Sequence, residues 1–251
     1  MLTFKHAGRM GDVLYSLYWA TRVSDGKQFD LVLRVNVEAP DLSNRPYLMT
    51  REDAEFMRPL LAVQPYIRSV LIADDDRDIP SDFVELDAFR RNMQVILGRE
   101  IRQWYYPRCF KVIPGEWERV VLSLSESVEQ TDRIAVCFTP RYREDFNIDC
   151  LEQFKGKIVF IGLPEEHRAF CERYFDVEYH PVRDALEMLR VMRSCRCFVG
   201  NVSGTFAIAE CAKVPRVLCL RPGSGDVRVH GNGLEARNPE ELTKSINQHM
   251  R

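Results

Sequence analysis

Short apolar runs alternate along this chain with longer stretches of helical periodicity, an order that predicts an α/β protein. Residues 2–7 (LTFKHA) read as a strand, and residues 8–11 (GRMG) as a glycine turn. From Asp12 onward Val13, Leu14, Leu17 and Tyr18 recur at helical spacing until Ser24-Asp25-Gly26 stops them. Residues 29–35 are almost continuously apolar, which suits a strand buried in a parallel sheet. Thr50 followed by Asp53 has the form of a capping box, opening a helix to about residue 63. Residues 69–73 and 83–86 are further strands.

A break begins at Pro114-Gly115, and the acidic stretch 123–132 reads as a helix end and linker. A second series follows: strands at 134–138 and 157–161, a helix over 164–174, a short strand at 175–179 and a helix over 184–194. The clearest unit spans 195–224. There the run Cys197-Phe198-Val199 stops at Gly200-Asn201, and Ser203-Gly204 lead into a small-residue helix broken before Pro215. The run Val217-Leu218-Cys219-Leu220 closes this βαβ unit, and Gly223-Ser224-Gly225 then form a turn. Asn238-Pro239-Glu240-Glu241 supply an N-cap, a first-turn proline and acids for a last helix. The pattern predicts two Rossmann-like, doubly wound parallel-sheet lobes facing a cleft, over residues 1–118 and 119–251.

Composition narrows the class without changing that picture. Of 251 residues, 45% are hydrophobic and 29% charged, ordinary values for a globular protein with a sizeable core. A net charge of −2 gives no global field favouring nucleic acid. No apolar run approaches the roughly 20 residues of a membrane helix, and a strand-like start leaves no room for a signal peptide. Eight cysteines are scattered without a CxxC pair, so reduced, buried thiols are expected rather than disulfides or zinc. These features place the chain in the cytoplasm, with peripheral attachment to the inner membrane face left open.

Candidate chemistry falls in the strand-to-helix turns. Residues 201–205, including Asn201, Ser203, Gly204 and Thr205, offer backbone donors and hydroxyls at a helix N-terminus, where phosphate binds readily. Arg141 and Arg143 follow the strand at 134–138 and can hold phosphate oxygens, or form a solvated loop with Glu144 and Asp145. The stretch 90–111 carries Arg90, Arg91, Arg99, Arg102, Arg108 and Lys111 against Glu100 alone, with Trp104, Tyr105 and Tyr106 among them. It reads as a solvated face over core aromatics, or as a site for an anionic partner with rings to stack on it. Asp74-Asp75-Asp76 reads as a hydrophilic turn rather than a cation site. Asp12 by itself reads as a helix N-cap.

Two segments carry a family resemblance. Residues 11–17 (GDVLYSL) resemble the GDVL segment that opens the bacterial ADP-heptose:lipopolysaccharide heptosyltransferases. Gly200, Asn201, Ser203, Gly204 and Pro215 match that family's V-G-N-D-S-G segment and the proline after it. The chain resembles a short and divergent member. The resemblance implies a GT-B glycosyltransferase, inverting and metal-independent, with no cofactor beyond a nucleoside-diphosphate sugar as co-substrate. It gives Asp12 the role of general base, puts Gly8, Arg9, Gly11 and Arg102 on the acceptor side, and adds Glu165 to the donor-binding residues. The acceptor would be a hydroxyl on a glycan, a lipid-linked sugar or another partner. Val202 stands where the family has aspartate and Ala207 where it has histidine, in the donor pocket, which leaves the donor sugar open. A nucleotide-sugar binder without turnover and a transferase acting on a nucleic-acid base are the alternatives.

Overall fold

The computed structural model describes residues 2–39, 46–92, 115–139, 146–220 and 227–251. They form two compact units, Met1–Glu116 with Asp184–Leu186, and Trp117–Arg183 with Glu187–Arg251.

The first unit is a parallel sheet in the order β3-β2-β1-β4, built from β1 (Thr3–His6), β2 (Phe29–Arg34), β3 (Ile67–Ala73) and β4 (Val84–Glu85). Helix α1 (Met10–Val23) connects β1 to β2, and α2 (Arg51–Ala62) connects β2 to β3. Side chains alternate across a strand, so the register puts Phe4, Leu31 and Val70 on one face and Lys5, Val32 and Leu71 on the other. The Trp19 ring of α1 meets Phe4 edge-on at 5.9 Å, so α1 covers the first face. The second face is charged: Lys5 pairs with Glu85 at 3.0 Å, and Arg34 Nε donates to Asp76 at 3.1 Å. The strand expected at 29–35 is buried apart from Asp30 and Arg34, which are half-buried and paired with Arg68 and Asp76. The capping box holds. Thr50 Oγ1 accepts from the Asp53 amide at 3.2 Å, and the Thr50 amide donates to Asp53 Oδ2 at 3.0 Å.

The second unit is a six-stranded parallel sheet in the order β10-β9-β8-β5-β6-β7. Its strands are β5 (Ile134–Cys137), β6 (Ile158–Phe160), β7 (Glu178–Tyr179), β8 (Cys197–Asn201), β9 (Arg216–Cys219) and β10 (Gly233–Ala236). The helices are α3 (Pro164–Arg173), α4 (Ala185–Ser194), α5 (Gly204–Ala212) and α6 (Pro239–Met250). Period-two alternation again sorts the core. Ile134, Val136, Phe160, Val199 and Val217 pack with Phe170 of α3 and Leu242 and Ile246 of α6. On the opposite face Phe198 meets Phe206 of α5 at 6.2 Å, so both faces are covered and the lobe is doubly wound. Residues 149–157 form 3-10 turns ahead of β6, and neither these nor β10 was anticipated. In place of a helix end near 123, Val121 and Leu122 are buried, and both their amides donate to the Cys211 carbonyl.

All cysteines among the described residues are free thiols, and burial pushes the Cys197 thiol up to about 12. No described helix is long and apolar enough to cross a membrane.

The amino-terminal edge of this sheet holds a closed ionic cluster. Arg216, at the start of β9, and Glu210, near the end of α5, are both fully buried. Arg216 Nε donates to Glu210 Oε2 at 2.6 Å, while Lys213 Nζ donates to Glu210 Oε1 at 2.5 Å. Arg216 Nη1 also donates to the Val214 carbonyl at 2.8 Å and to Asn232 Oδ1 at 2.9 Å. Removing one partner of such a pair strands a buried charge. Glu210→Ala is expected to cost about 3–5 kcal/mol in urea unfolding, and the double change to Glu210→Met with Arg216→Met to recover much of it. A single variant as stable as the parent would show that the cluster contributes nothing.

Candidate active site

In a parallel sheet, ligands collect beyond the carboxyl ends of the strands. Two turns in this chain lie there.

The first follows β1. Helix α1 starts at Met10 with Arg9 as N-cap, so Asp12 occupies the third helical position and is not the cap. Its side chain is 16% exposed, and its Oδ2 accepts from Arg90 Nη2. Asp87, just past β4, accepts from the Ala7 amide at 3.2 Å through Oδ2, and that oxygen lies 3.9 Å from Arg90 Nε. His6 is fully buried, and its Nδ1 accepts from the Gly8 amide at 2.7 Å. Gly8 cannot carry a side chain here. A Cβ would come within 2.4 Å of His6 Cε1 and 2.8 Å of Arg90 Nη2. Arg9, the N-cap, and Gly11, the second helical residue where the turn at 8–11 was expected to continue, are half-buried. Arg102 lies outside the described residues.

Burial holds the His6 ring down to about 4, against the pull of Asp87 and Asp12, so the imidazole is neutral. Burial and the hydrogen bond to Asp87 push Glu85 up to about 7, against the Lys5 ammonium. Burial would raise Asp87 as well, but the hydrogen bond from Glu85 and the charge of Arg90 outweigh it and lower Asp87. With its value near 7, Glu85 is only partly ionised at neutral pH, and Asp87 is the more acidic of the two. Sequence reasoning did not find His6, Glu85 or Asp87, and saw Arg90 only as one of a basic run. No local signal could have found them.

The second turn follows β8. The strand continues through Gly200 to Asn201, paired with Cys137 and Cys219, and a Cβ at Gly200 would meet the Cys137 carbonyl of β5 at 2.6 Å. This glycine serves the strand pairing. Asn201 is 2% exposed; its Oδ1 accepts from the Thr139 amide at 3.0 Å and its Nδ2 donates to the Thr139 carbonyl at 2.8 Å. Ser203 caps α5, its Oγ accepting from the Phe206 amide at 3.0 Å and donating to the Asn201 carbonyl at 3.1 Å. Both side chains are thus committed to the protein, and what the turn presents is backbone. Gly204 and Thr205 open the helix, half-buried, and the first turn holds no acidic residue. Val202 is half-buried, whereas Ala207 is fully buried in the body of α5.

Glu165 is exposed, whereas its neighbour Glu166 turns inward. Glu166 Oε2 accepts from the Leu163 amide at 3.0 Å and lies 4.0 Å from Cys137 Sγ. Arg141, Arg143 and residues 223–225 lie outside the described residues. The three aspartates at 74–76 form a turn paired with Arg51, Arg77, and Arg34 with Lys5. Among the described residues no cluster of His, Cys, Asp and Glu has the makings of a metal site.

No family model and no curated protein sequence matches the chain. Solved structures do. A glycosyl transferase family 9 protein from Veillonella parvula superposes with a TM-score of 0.62 at 12% identity, over 98% of this chain and 89% of that one. The E. coli heptosyltransferase WaaC with ADP gives 0.60 at 11% identity, over 99% of each chain. E. coli ADP-heptose lps heptosyltransferase II gives 0.56 at 12% identity, over 99% of this chain and 98% of that one. The chain shares their fold. The fold of two parallel-sheet lobes is that of these glycosyltransferases, and the turns after β1 and β8 lie at the carboxyl edges of its two sheets.

The buried histidine makes the first turn sensitive to acid. Below its ordinary value of 6.5 the unfolded His6 binds a proton that the folded one refuses, so stability falls as pH drops from 6.5 towards 4. Glu85 acts with the opposite sign, costing stability as pH rises from 4.5 to 7. His6→Asn keeps an acceptor for the Gly8 amide but cannot titrate. Its unfolding free energy should lose about 3 kcal/mol less than the parent's between pH 6.5 and 4. Parallel pH profiles for the two proteins would contradict a neutral, buried His6.

Proposed function

We propose that this protein is a glycosyltransferase that moves a sugar from a nucleoside-diphosphate donor to a hydroxyl acceptor, inverting the anomeric centre without a metal. The observation that carries the reading is the pairing of two features within this fold. One is a helix N-terminus presenting backbone donors and no acid, and the other is a carboxylate held at the ligand edge of the other sheet. Heptosyltransferases with the same fold have been solved with ADP and with an ADP-heptose analogue, which makes ADP the first nucleotide to try.

The turn at residues 201–205 receives the diphosphate. The amides at the start of α5 point at its oxygens, and the helix dipole adds partial positive charge where the leaving group gains negative charge. Asn201 acts by holding the backbone of Thr139, from which the chain runs on towards Arg141 and Arg143. Those arginines supply side-chain charge to the diphosphate, which backbone amides alone do not. Glu165 or its inward-facing neighbour Glu166 contacts the nucleoside. Gly8, Arg9, Gly11 and Arg102 line the acceptor side.

Asp12 accepts the acceptor hydroxyl's proton as the new C–O bond forms and the bond to the diphosphate breaks. No metal step is required, because the leaving charge is met by amides and arginines. The exposure of Asp12 at 16% leaves it reachable while shielding it from bulk water. The acceptor is a glycan or lipid-linked hydroxyl in this reading, handled in the cytoplasm or at the inner membrane face.

Asp12→Asn keeps the side chain's shape and removes the base. With an ADP-sugar donor, it is expected to lower the transfer rate on the order of 10² to 10⁴ and leave ADP affinity within about twofold. Product NMR on the parent protein reports the anomeric configuration. A variant that transfers at the parent rate would return Asp12 to a structural role, and a retained configuration would exclude direct displacement.

A further inference from the structure

Asp12 does not stand alone. A line of contacts runs to it from the backbone of β1: the Ala7 amide to Asp87, Asp87 to Arg90, and Arg90 to Asp12. The two ends are joined by a residue 78 positions along the chain from Asp12, so the arrangement exists only in the folded sheet, where β1 and β4 are neighbours. The Leu86 amide fixes that junction by donating to the Lys5 carbonyl at 2.8 Å.

The guanidinium is suited to what this place asks of it. Its Nη2 donates to the Asp12 carboxylate, while its Nε lies 3.9 Å from Asp87, within ion-pair reach and beyond a hydrogen bond. A lysine carries the same charge without direction. The approach is close enough that Gly8 must lack a side chain, since its Cβ would lie 2.8 Å from Arg90 Nη2. Arg90 Nε is a buried donor without a hydrogen-bond partner among the described residues. A cluster serving stability alone would have closed that valence, as Arg216 Nε does on Glu210.

We propose that Arg90 is a positioning residue, anchored by Asp87, which fixes the direction of the Asp12 carboxylate for proton abstraction. This rests on the reading of Asp12 as the base. The charge of Asp87 matters as much as its contact, because Arg90 beside a neutralised partner would turn wholly onto Asp12 and draw its oxygens out of line. When Asp12 takes up the proton, the guanidinium retains Asp87 as counter-ion and the buried charge stays balanced.

The test uses Arg90→Lys, Arg90→Gln and Asp87→Asn, each in the parent and in the Asp12→Asn background, with ADP-heptose as donor and ADP release as the readout. Misplacing a catalytic group by about 1 Å costs on the order of 10²-fold. Each variant should therefore lose roughly that factor in kcat while ADP affinity and thermal midpoint in the lysine variant hold. In the Asp12→Asn background the same changes should cost nothing further, because a positioning residue has nothing left to position. An equal loss in both backgrounds, or full activity of Arg90→Lys, overturns the proposal and leaves the base intact. Full activity of Asp12→Asn overturns the base reading and this proposal together.

A readout independent of turnover covers a parent that does not use ADP-heptose. Side-chain ¹⁵N NMR of the full chain should show slow rotation of the Arg90 guanidinium, released in both Asp87→Asn and Asp12→Asn. Free rotation in the parent overturns the proposal whatever the donor.

Discussion

A parallel strand cannot return through a hairpin; it must cross over, and the crossover begins at the same edge of the sheet every time. That constraint organises both units. It puts the turn after β1 and the turn after β8 at the carboxyl edges of their sheets, each opening directly into a helix. It also demands cover for two faces, which the second unit meets with α5 on one side and α3 and α6 on the other. The first unit meets it differently. One face carries α1, and the other carries charges spaced by the alternation of β1 and β2, with Ile79 and Phe83 packed against Val32 and Ala73.

The two buried ionic groups show what edge position does to polar chemistry. At the amino edge of the larger sheet, Glu210, Lys213 and Arg216 satisfy one another and the nearby carbonyls, which ties α5 to β9 and on to Asn232 before β10. At the carboxyl edge of the smaller sheet, the comparable group is left open. His6 stays neutral, Glu85 titrates near neutrality, and Arg90 stands between two carboxylates. The difference matches the general rule that strained or incompletely satisfied polar groups gather where ligands arrive.

Much of the fold was legible in the sequence because its signals are local. Thr50 and Asp53 make the reciprocal bonds their spacing announces, and Asn238 caps α6 through the Glu241 amide. The strand periods were legible for the same reason. The short β10 was not, since Gly233, Leu234 and Glu235 are only half-buried and carry no apolar run. The site was legible in outline only. Its two turns could be placed from glycines and small residues, but not the work of each side chain. Asn201 and Ser203, matched as donor-binding residues, spend their polar atoms on Thr139, Phe206 and the Asn201 carbonyl. Asp12 is a third helical residue and not a cap. Its partners Arg90 and Asp87 reach it through strand order, which no spacing along the chain encodes.

The account stands on the claim that the backbone at the start of α5 holds a nucleoside diphosphate. Calorimetric titration of ADP into the parent protein and into Gly204→Asp addresses it directly. Aspartate in a first helical turn favours the helix, so the variant should fold, while its charge and bulk occupy the phosphate position. The prediction is saturable binding to the parent with one site, and loss of measurable binding in a variant of unchanged thermal midpoint. Equal ADP affinity in the two proteins would contradict it.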